Sequence, residues 1–238
     1  MKSRPDYVLK IGGSILTDKT SKETFSPQLD AVIQKISRNP DGIIVHGAGS
    51  FGHPHAKEHN LHKGSREGAL ETSTAVKKLN NEIVKRLHKK DVEAYPVHPS
   101  SSALRRPQTE MMTRQIQQMY TEGFTPVLHG DGIVTEGQGF TVISGDEILA
   151  ILERKMQTGH AGFCTSEKGV LNSERKIVNE INSLEEFEGL KLTGDDVTGG
   201  MENKVQEVLE KDIKAQIFGA EALEDFLSGE KPGTTVKK

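Results

Sequence analysis

Tyr7-Val8-Leu9-Lys10-Ile11-Gly12-Gly13-Ser14 decides how the chain is read. A short run of β-formers ends abruptly on a glycine pair, so a strand gives way to a turn. The run is apolar nearly throughout, the pattern of a strand covered on both faces. Glycines placed directly after such a strand let the backbone turn sharply and approach a ligand closely. Exposed N–H groups in a turn of this kind can cradle phosphate oxygens. Lys10, at the end of the run, requires an anionic partner if it is buried.

The arrangement recurs further along. Gly42–Val45 reads as a second strand and runs into His46-Gly47-Ala48-Gly49-Ser50-Phe51-Gly52-His53. Two glycine turns at consecutive strand ends converge on the carboxyl edge of a parallel sheet, where such sheets bind ligands. A third loop, Asp196-Val197-Thr198-Gly199-Gly200-Met201, opens a helix that carries Lys204. A helix N-terminus beside a glycine pair favours anions. No loop ends in the Gly-Lys-Ser/Thr of a Walker motif. Gly47–Gly52 has the letters of a dinucleotide loop but lacks the acid expected about 20 residues on.

Between these loops, strands and helical periods alternate. Helices are expected over Pro27–Ser37, Ala69–His88, Thr109–Tyr120, Asp146–Met156, Val205–Ile213 and Ala222–Leu227. Strands are expected near Tyr95–Val97 and over Thr125–Leu128, Ala161–Thr165 and Gln216–Phe218. Ile133–Ser144 reads as a hairpin turning at Glu136-Gly137-Gln138-Gly139, and Thr234–Val236 as an edge strand. The alternation argues for an α/β fold with a mostly parallel sheet covered on both faces. Residues 1–238 read as one domain. A functional division falls near 157, with an acceptor-binding half (1–157) before a nucleotide-binding half (158–238).

The net charge of −3, with both signs interspersed, argues against a nucleic-acid partner. No run reaches the roughly 20 apolar residues of a membrane span, and the first residues lack the apolar centre of a signal peptide. Cys164 is the only cysteine, so no intrachain disulfide is possible. A soluble, cytoplasmic protein is expected, with Cys164 as a small buried hydrophobe.

Taken together, the motifs are identifiable. Lys10-Ile11-Gly12-Gly13-Ser14 with Thr17-Asp18-Lys19 resembles the N-terminal signature of isopentenyl phosphate kinases, within the amino acid kinase superfamily. His46–Pro54 resembles their glycine loop, including the histidine at its end. Leu128-His129-Gly130-Asp131, Ser144-Gly145-Asp146 and Asp196–Met201 with Lys204 resemble three later motifs, in order along nearly the whole chain. The resemblance implies an open αβα sandwich, transfer of the γ-phosphoryl group of ATP to isopentenyl phosphate, a requirement for Mg²⁺, and a homodimer.

It also implies roles for residues. Phosphoryl transfer to a phosphate oxygen needs cations between two polyanions more than it needs a base. Lys10, Lys19 and Lys204 supply them, with Asp146 as the organiser of the lysines. Asp146 also suits a helix start on dipole grounds alone. His53 would bind the acceptor's phosphate, with Gly47, Ala48, Gly49, Gly52 and Gly145 as further substrate contacts. Lys10, Ile11, Gly12, Gly13, Ser14, Ala48, Ser166, Gly200 and Lys204 would contact ATP.

His46, His53, His55, His59 and His62 cluster in sequence, but no acidic or cysteine partner is read at ligand spacing, so no metal site is expected. Two departures from the family pattern stand out. Thr165-Ser166-Glu167-Lys168-Gly169 has Ser166 where an acid is expected near the nucleotide, and Ala48 stands where many relatives have glycine. The competing readings are a related kinase acting on another phosphate or on a phosphonate such as fosfomycin, and a nucleotide-binding regulatory module without turnover.

Overall fold

The structure is a computed structural model that describes residues 4–190 and 200–238. Its strands are β1 (Tyr7–Ile11), β2 (Gly42–His46), β3 (Ala94–Pro96), β4 (Ala103–Arg106), β5 (Gln108–Met111), β6 (Thr125–His129), β7 (Asp131–Thr135), β8 (Gly139–Ile143), β9 (Ala161–Thr165), β10 (Glu180–Ile181), β11 (Ala215–Gly219) and β12 (Thr234–Val236). Eight of them form one sheet in the order β10-β12-β11-β9-β1-β2-β6-β3. Every pairing in it is parallel except β11 with β12. A smaller sheet follows the order β5-β4-β7-β8.

The sheet parts two apolar layers, as the buried run at Tyr7–Ile11 requires. Alternation along β1 sends Tyr7, Leu9 and Ile11 into one layer, with Ile33, Ile44, Leu79 and Phe226. Val8 goes into the other, with Val45, Ile148, Leu152 and Val205. The helices over the first layer are α2 (Leu29–Arg38), α4 (Arg66–His88) and α10 (Leu223–Leu227); over the second lie α7 (Gly145–Met156) and α9 (Gly200–Glu210). The fold is therefore the α/β sandwich expected. The same parity places Lys10 on the Val8 side, the side of α7.

Local chemistry sets the helix starts that matter. Ser65 Oγ accepts from Gly68 N at 3.0 Å and caps α4. Ser144 Oγ accepts from Glu147 N at 3.0 Å and caps α7, with Asp146 and Glu147 in the first turn and Arg154 and Lys155 in the last.

Four expectations need correction. Thr109–Tyr120 is not one helix: β5 pairs antiparallel with β4, Ala103 opposite Met111, and helix α6 runs only over Thr113–Thr121. Cross-strand pairing outweighs the helical period in the first quarter of that stretch. β12 is not an edge strand, because it lies between β10 and β11. The last long helix starts at Gly200 and ends at Glu210, earlier than expected at both ends. The glycine loop after β2 is itself largely helical, as α3 (Gly49–Glu58).

Candidate active site

β1 and β2 end side by side, Ile11 opposite His46, and their glycine turns pack back to back. A Cβ on Gly13 would lie 2.5 Å from Gly49 N, and one on Gly47 would lie 2.7 Å from Gly13 N. Gly49 carries φ +50, and a Cβ there would also lie 2.2 Å from Thr17 Oγ1. Ala48 has φ −71, so alanine fits without strain. Thr17 ties the two turns together. Its Oγ1 donates to Gly13 O at 2.8 Å and accepts from Ser50 N at 2.9 Å.

These turns floor a cleft of about 530 Å³. Lys10, Gly12, Gly13, Ser14, Lys19, Gly49, His53, Ser166, Gly200 and Lys204 all line it. Of the expected residues, Ile11, Gly47, Ala48, Gly52, Gly145 and Asp146 do not. Ile11 is in the core. A Cβ on Gly52 would lie 2.3 Å from Ala48 Cβ and 2.7 Å from Val76 Cγ2, so this glycine serves the packing of α3 on α4. A Cβ on Gly145 would lie 3.3 Å from both His46 O and Lys10 Cε, which makes Gly145 the clearance for Lys10. Asp196–Gly199 lie outside the described residues.

Asp146 lies directly behind the lysines. Its Oδ1 is 2.7 Å from Lys10 Nζ and its Oδ2 is 3.2 Å from Lys204 Nζ, with Lys204 also donating to Gly200 O at 2.7 Å. Burial pushes the Asp146 carboxyl up, but the two ammonium charges outweigh it and hold it below its ordinary value. One anion thus collects cleft-lining cations from β1 and α9. Lys19, exposed on the loop after the first glycine turn, lines the same cleft. His53 lies on the rim, and its pKa is lowered by desolvation and by the charges of Lys10 and Lys19. It is therefore a neutral donor near pH 7.

Several neighbours were not legible as site residues. Ser21, Lys22, Pro54, Thr165, Glu167 and Met201 also line the cleft. Thr17 belongs to the N-terminal signature, but its clamp depends on a chain reversal that no local pattern announces. Behind the cleft, His46 and His129 lie opposite each other on adjacent strands, each with Nδ1 3.0 Å from the carbonyl of the following glycine. Their Nε2 atoms face Asn80 Nδ2 at 3.1 Å and His98 Nδ1 at 2.9 Å. The histidine reading also missed an acid: Glu58 lies with His55 and His59, one ligand atom from each within 4.8 Å of the others.

Residues 7–217 match the amino acid kinase family, and the chain belongs to it. Within that family its similarity is to isopentenyl phosphate kinases. The enzyme of that name from Haloferax volcanii is 36% identical over 243 residues, covering 97% of this chain and 98% of the relative. That from Methanocaldococcus jannaschii is 29% identical, covering 96% and 97%. A crystallographic isopentenyl phosphate kinase structure superposes with a TM-score of 0.81 at 27% identity, covering 96% of this chain and 98% of the other.

Proposed function

We propose that the protein transfers the γ-phosphoryl group of ATP to the phosphate of isopentenyl phosphate, yielding isopentenyl diphosphate and ADP. A P–O bond forms from an acceptor phosphate oxygen to the γ-phosphorus, and the bond from that phosphorus to the β–γ bridging oxygen breaks. The observation that carries the reading is that His53, which fits an acceptor already bearing a phosphate, lines the same cleft as Lys10, Lys19 and Lys204.

The nucleophile is ionised at neutral pH, so no base is required. The residues supply charge and alignment. Lys10 contacts the β- and γ-phosphates, Lys204 holds the nucleotide from α9, and Lys19 meets the developing charge in the transition state. Gly12, Gly13, Ser14 and Gly200 bring backbone close to the ATP phosphates, and Ser166 lies toward the nucleoside. His53 and Gly49 face the acceptor's phosphate, and the Gly47–Ala48 turn supports Gly49 from behind the cleft wall. Asp146 orients the lysines without touching substrate. The halves on either side of residue 157 then serve the acceptor and the nucleotide respectively.

Mg²⁺ would enter this site as a companion of the nucleotide's phosphates, and Asp146 is not its ligand. Asp146 is buried and faces a lysine ammonium with each oxygen, so it offers no open carboxylate to a hard cation that prefers octahedral oxygen ligands. Among the described residues no helix is long and apolar enough to cross a membrane. A homodimer and a cytoplasmic setting belong to the same proposal.

The test is ADP release with Mg-ATP and, in parallel, isopentenyl phosphate, dimethylallyl phosphate, fosfomycin and N-acetylglutamate. Turnover should be fastest with the isoprenoid phosphates. No ADP release with any acceptor sinks the kinase reading, and preference for fosfomycin moves the acceptor to a phosphonate.

A further inference from the structure

Helix α3 and the residue that caps its C-terminus, His59, carry a second group of side chains that the phosphoryl chemistry does not use. His55, Glu58 and His59 stand at i, i+3 and i+4, the spacing that puts residues on one helix face. One ligand atom from each lies within 4.8 Å of the other two. The two imidazole rings are nearly parallel, 10° apart in plane with centroids at 6.3 Å. None of the three lines the cleft.

Each imidazole is backed by a carboxylate. His55 Nε2 is 2.8 Å from Glu23 Oε1, and His59 Nδ1 is 3.3 Å from Glu67 Oε1. Metal-binding histidines characteristically give their second nitrogen to such an acceptor, which fixes the tautomer and raises ligand basicity. His55 Nδ1 is buried without a hydrogen-bond partner, a state that costs free energy unless something uses the lone pair. A histidine pair at i, i+4 is also how a helix presents two nitrogens to zinc.

We propose that His55, Glu58 and His59 bind one borderline divalent transition-metal ion, of the Zn²⁺, Co²⁺ or Ni²⁺ class. Two imidazoles and one carboxylate select these ions over Mg²⁺ and Ca²⁺, which prefer all-oxygen shells. The site is coupled to the cleft through Lys22. Glu58 Oε2 is held by Lys22 Nζ at 2.6 Å, and Lys22 lines the cleft. An ion that takes Glu58 competes with Lys22 and releases that lysine from its anchor.

The experiment is titration of chelator-stripped protein with Co²⁺, followed by visible absorbance, and with Zn²⁺ by calorimetry in excess Mg²⁺. One equivalent should bind with Mg²⁺ present. His59→Gln and Glu58→Gln should each weaken binding by roughly tenfold or more, with thermal melting unchanged. These two are chosen because His55 is buried and its replacement could disturb folding. Lys22→Gln should tighten binding by removing the competitor for Glu58. Absence of binding in excess Mg²⁺, or an affinity indifferent to both His59→Gln and Glu58→Gln, overturns the site. An affinity unchanged or weakened in Lys22→Gln overturns the coupling.

Discussion

Lys10 Nζ lies 2.7 Å from Asp146 Oδ1, at the meeting of the first strand and the first turn of α7, and both side chains are nearly closed off from water, at 9% and 12% exposed. A pair so buried is costly to break, because the survivor keeps its desolvation penalty without its partner. Here the survivors would be two lysines, since Lys204 shares the same carboxylate. Asp146→Asn keeps the shape and removes the charge. It should destabilise the fold by about 3–5 kcal/mol and lower kcat by roughly 10²–10³-fold, read by urea unfolding and steady-state kinetics. The carboxyl's native pKa lies below its unfolded value of 3.8. Its stabilisation is therefore full above that pH and is lost as pH falls through the native value. The Asn variant should lack this part of the acid limb.

A different pH window belongs to the buried histidines. Desolvation first, then the other histidines nearby, pushes His46 and His129 down to about 3 from an ordinary 6.5. Between those values the unfolded chain takes up protons that the native state refuses. Stability therefore falls as pH drops from 6.5 toward 3. His46→Asn retains a donor for Gly47 O and removes one of these titrations. It should reduce the slope of unfolding free energy against pH in that interval by about half of the two histidines' joint share, measured by denaturant unfolding across the range.

The two windows also mark what the chain discloses and what it conceals. Tyr7–Ile11 and Ala161–Thr165 were legible as strands because a run buried on both faces is apolar nearly throughout. The glycine turns were legible because backbone packed at 2.5–2.7 Å from a missing Cβ admits only glycine. Lys10 betrayed itself as a charge at the end of an apolar run. Asp146 looked like an ordinary helix-start acid, and its two lysines come from 136 residues before it and 58 after it. β4 and β5 stayed hidden because Gln108-Thr109-Glu110-Met111 is half-exposed and polar, so only its partner strand defines it. The Gly49–Glu58 helix was masked by its own composition, with two glycines and Pro54 inside it.

Thr17 is the cheapest place to loosen the cleft without touching a charge. Thr17→Val is nearly isosteric at a site only 1% exposed, but it loses the donor to Gly13 O and leaves Ser50 N without its acceptor. An unpaired buried N–H costs about 1–3 kcal/mol, so the denaturation midpoint should fall accordingly. The two glycine turns also lose the bond that fixes their spacing. KM should therefore rise for both ATP and the acceptor, whereas a purely global loss of stability would leave both unchanged in the folded enzyme. Thr17→Ser, which keeps the hydroxyl, should restore both constants.

His53 separates the acceptor's binding from the nucleotide's. A hydrogen bond to an ionised phosphate is worth about 1.5–3 kcal/mol. His53→Ala should accordingly lower kcat/KM for isopentenyl phosphate by roughly 10- to 150-fold while leaving the binding of ATP nearly intact. His53→Gln keeps an N–H donor and should recover part of the loss at pH 8. The recovery should shrink as the pH is lowered. Desolvation, Lys10 and Lys19 hold the imidazole below its ordinary pKa, so His53 gains its positive charge only in the acid range, where glutamine gains none. The ratio of wild-type to His53→Gln kcat/KM cancels the ionisation of the acceptor itself. It should therefore rise steadily as pH falls below 6.5, and a flat ratio would remove His53 from the acceptor's phosphate.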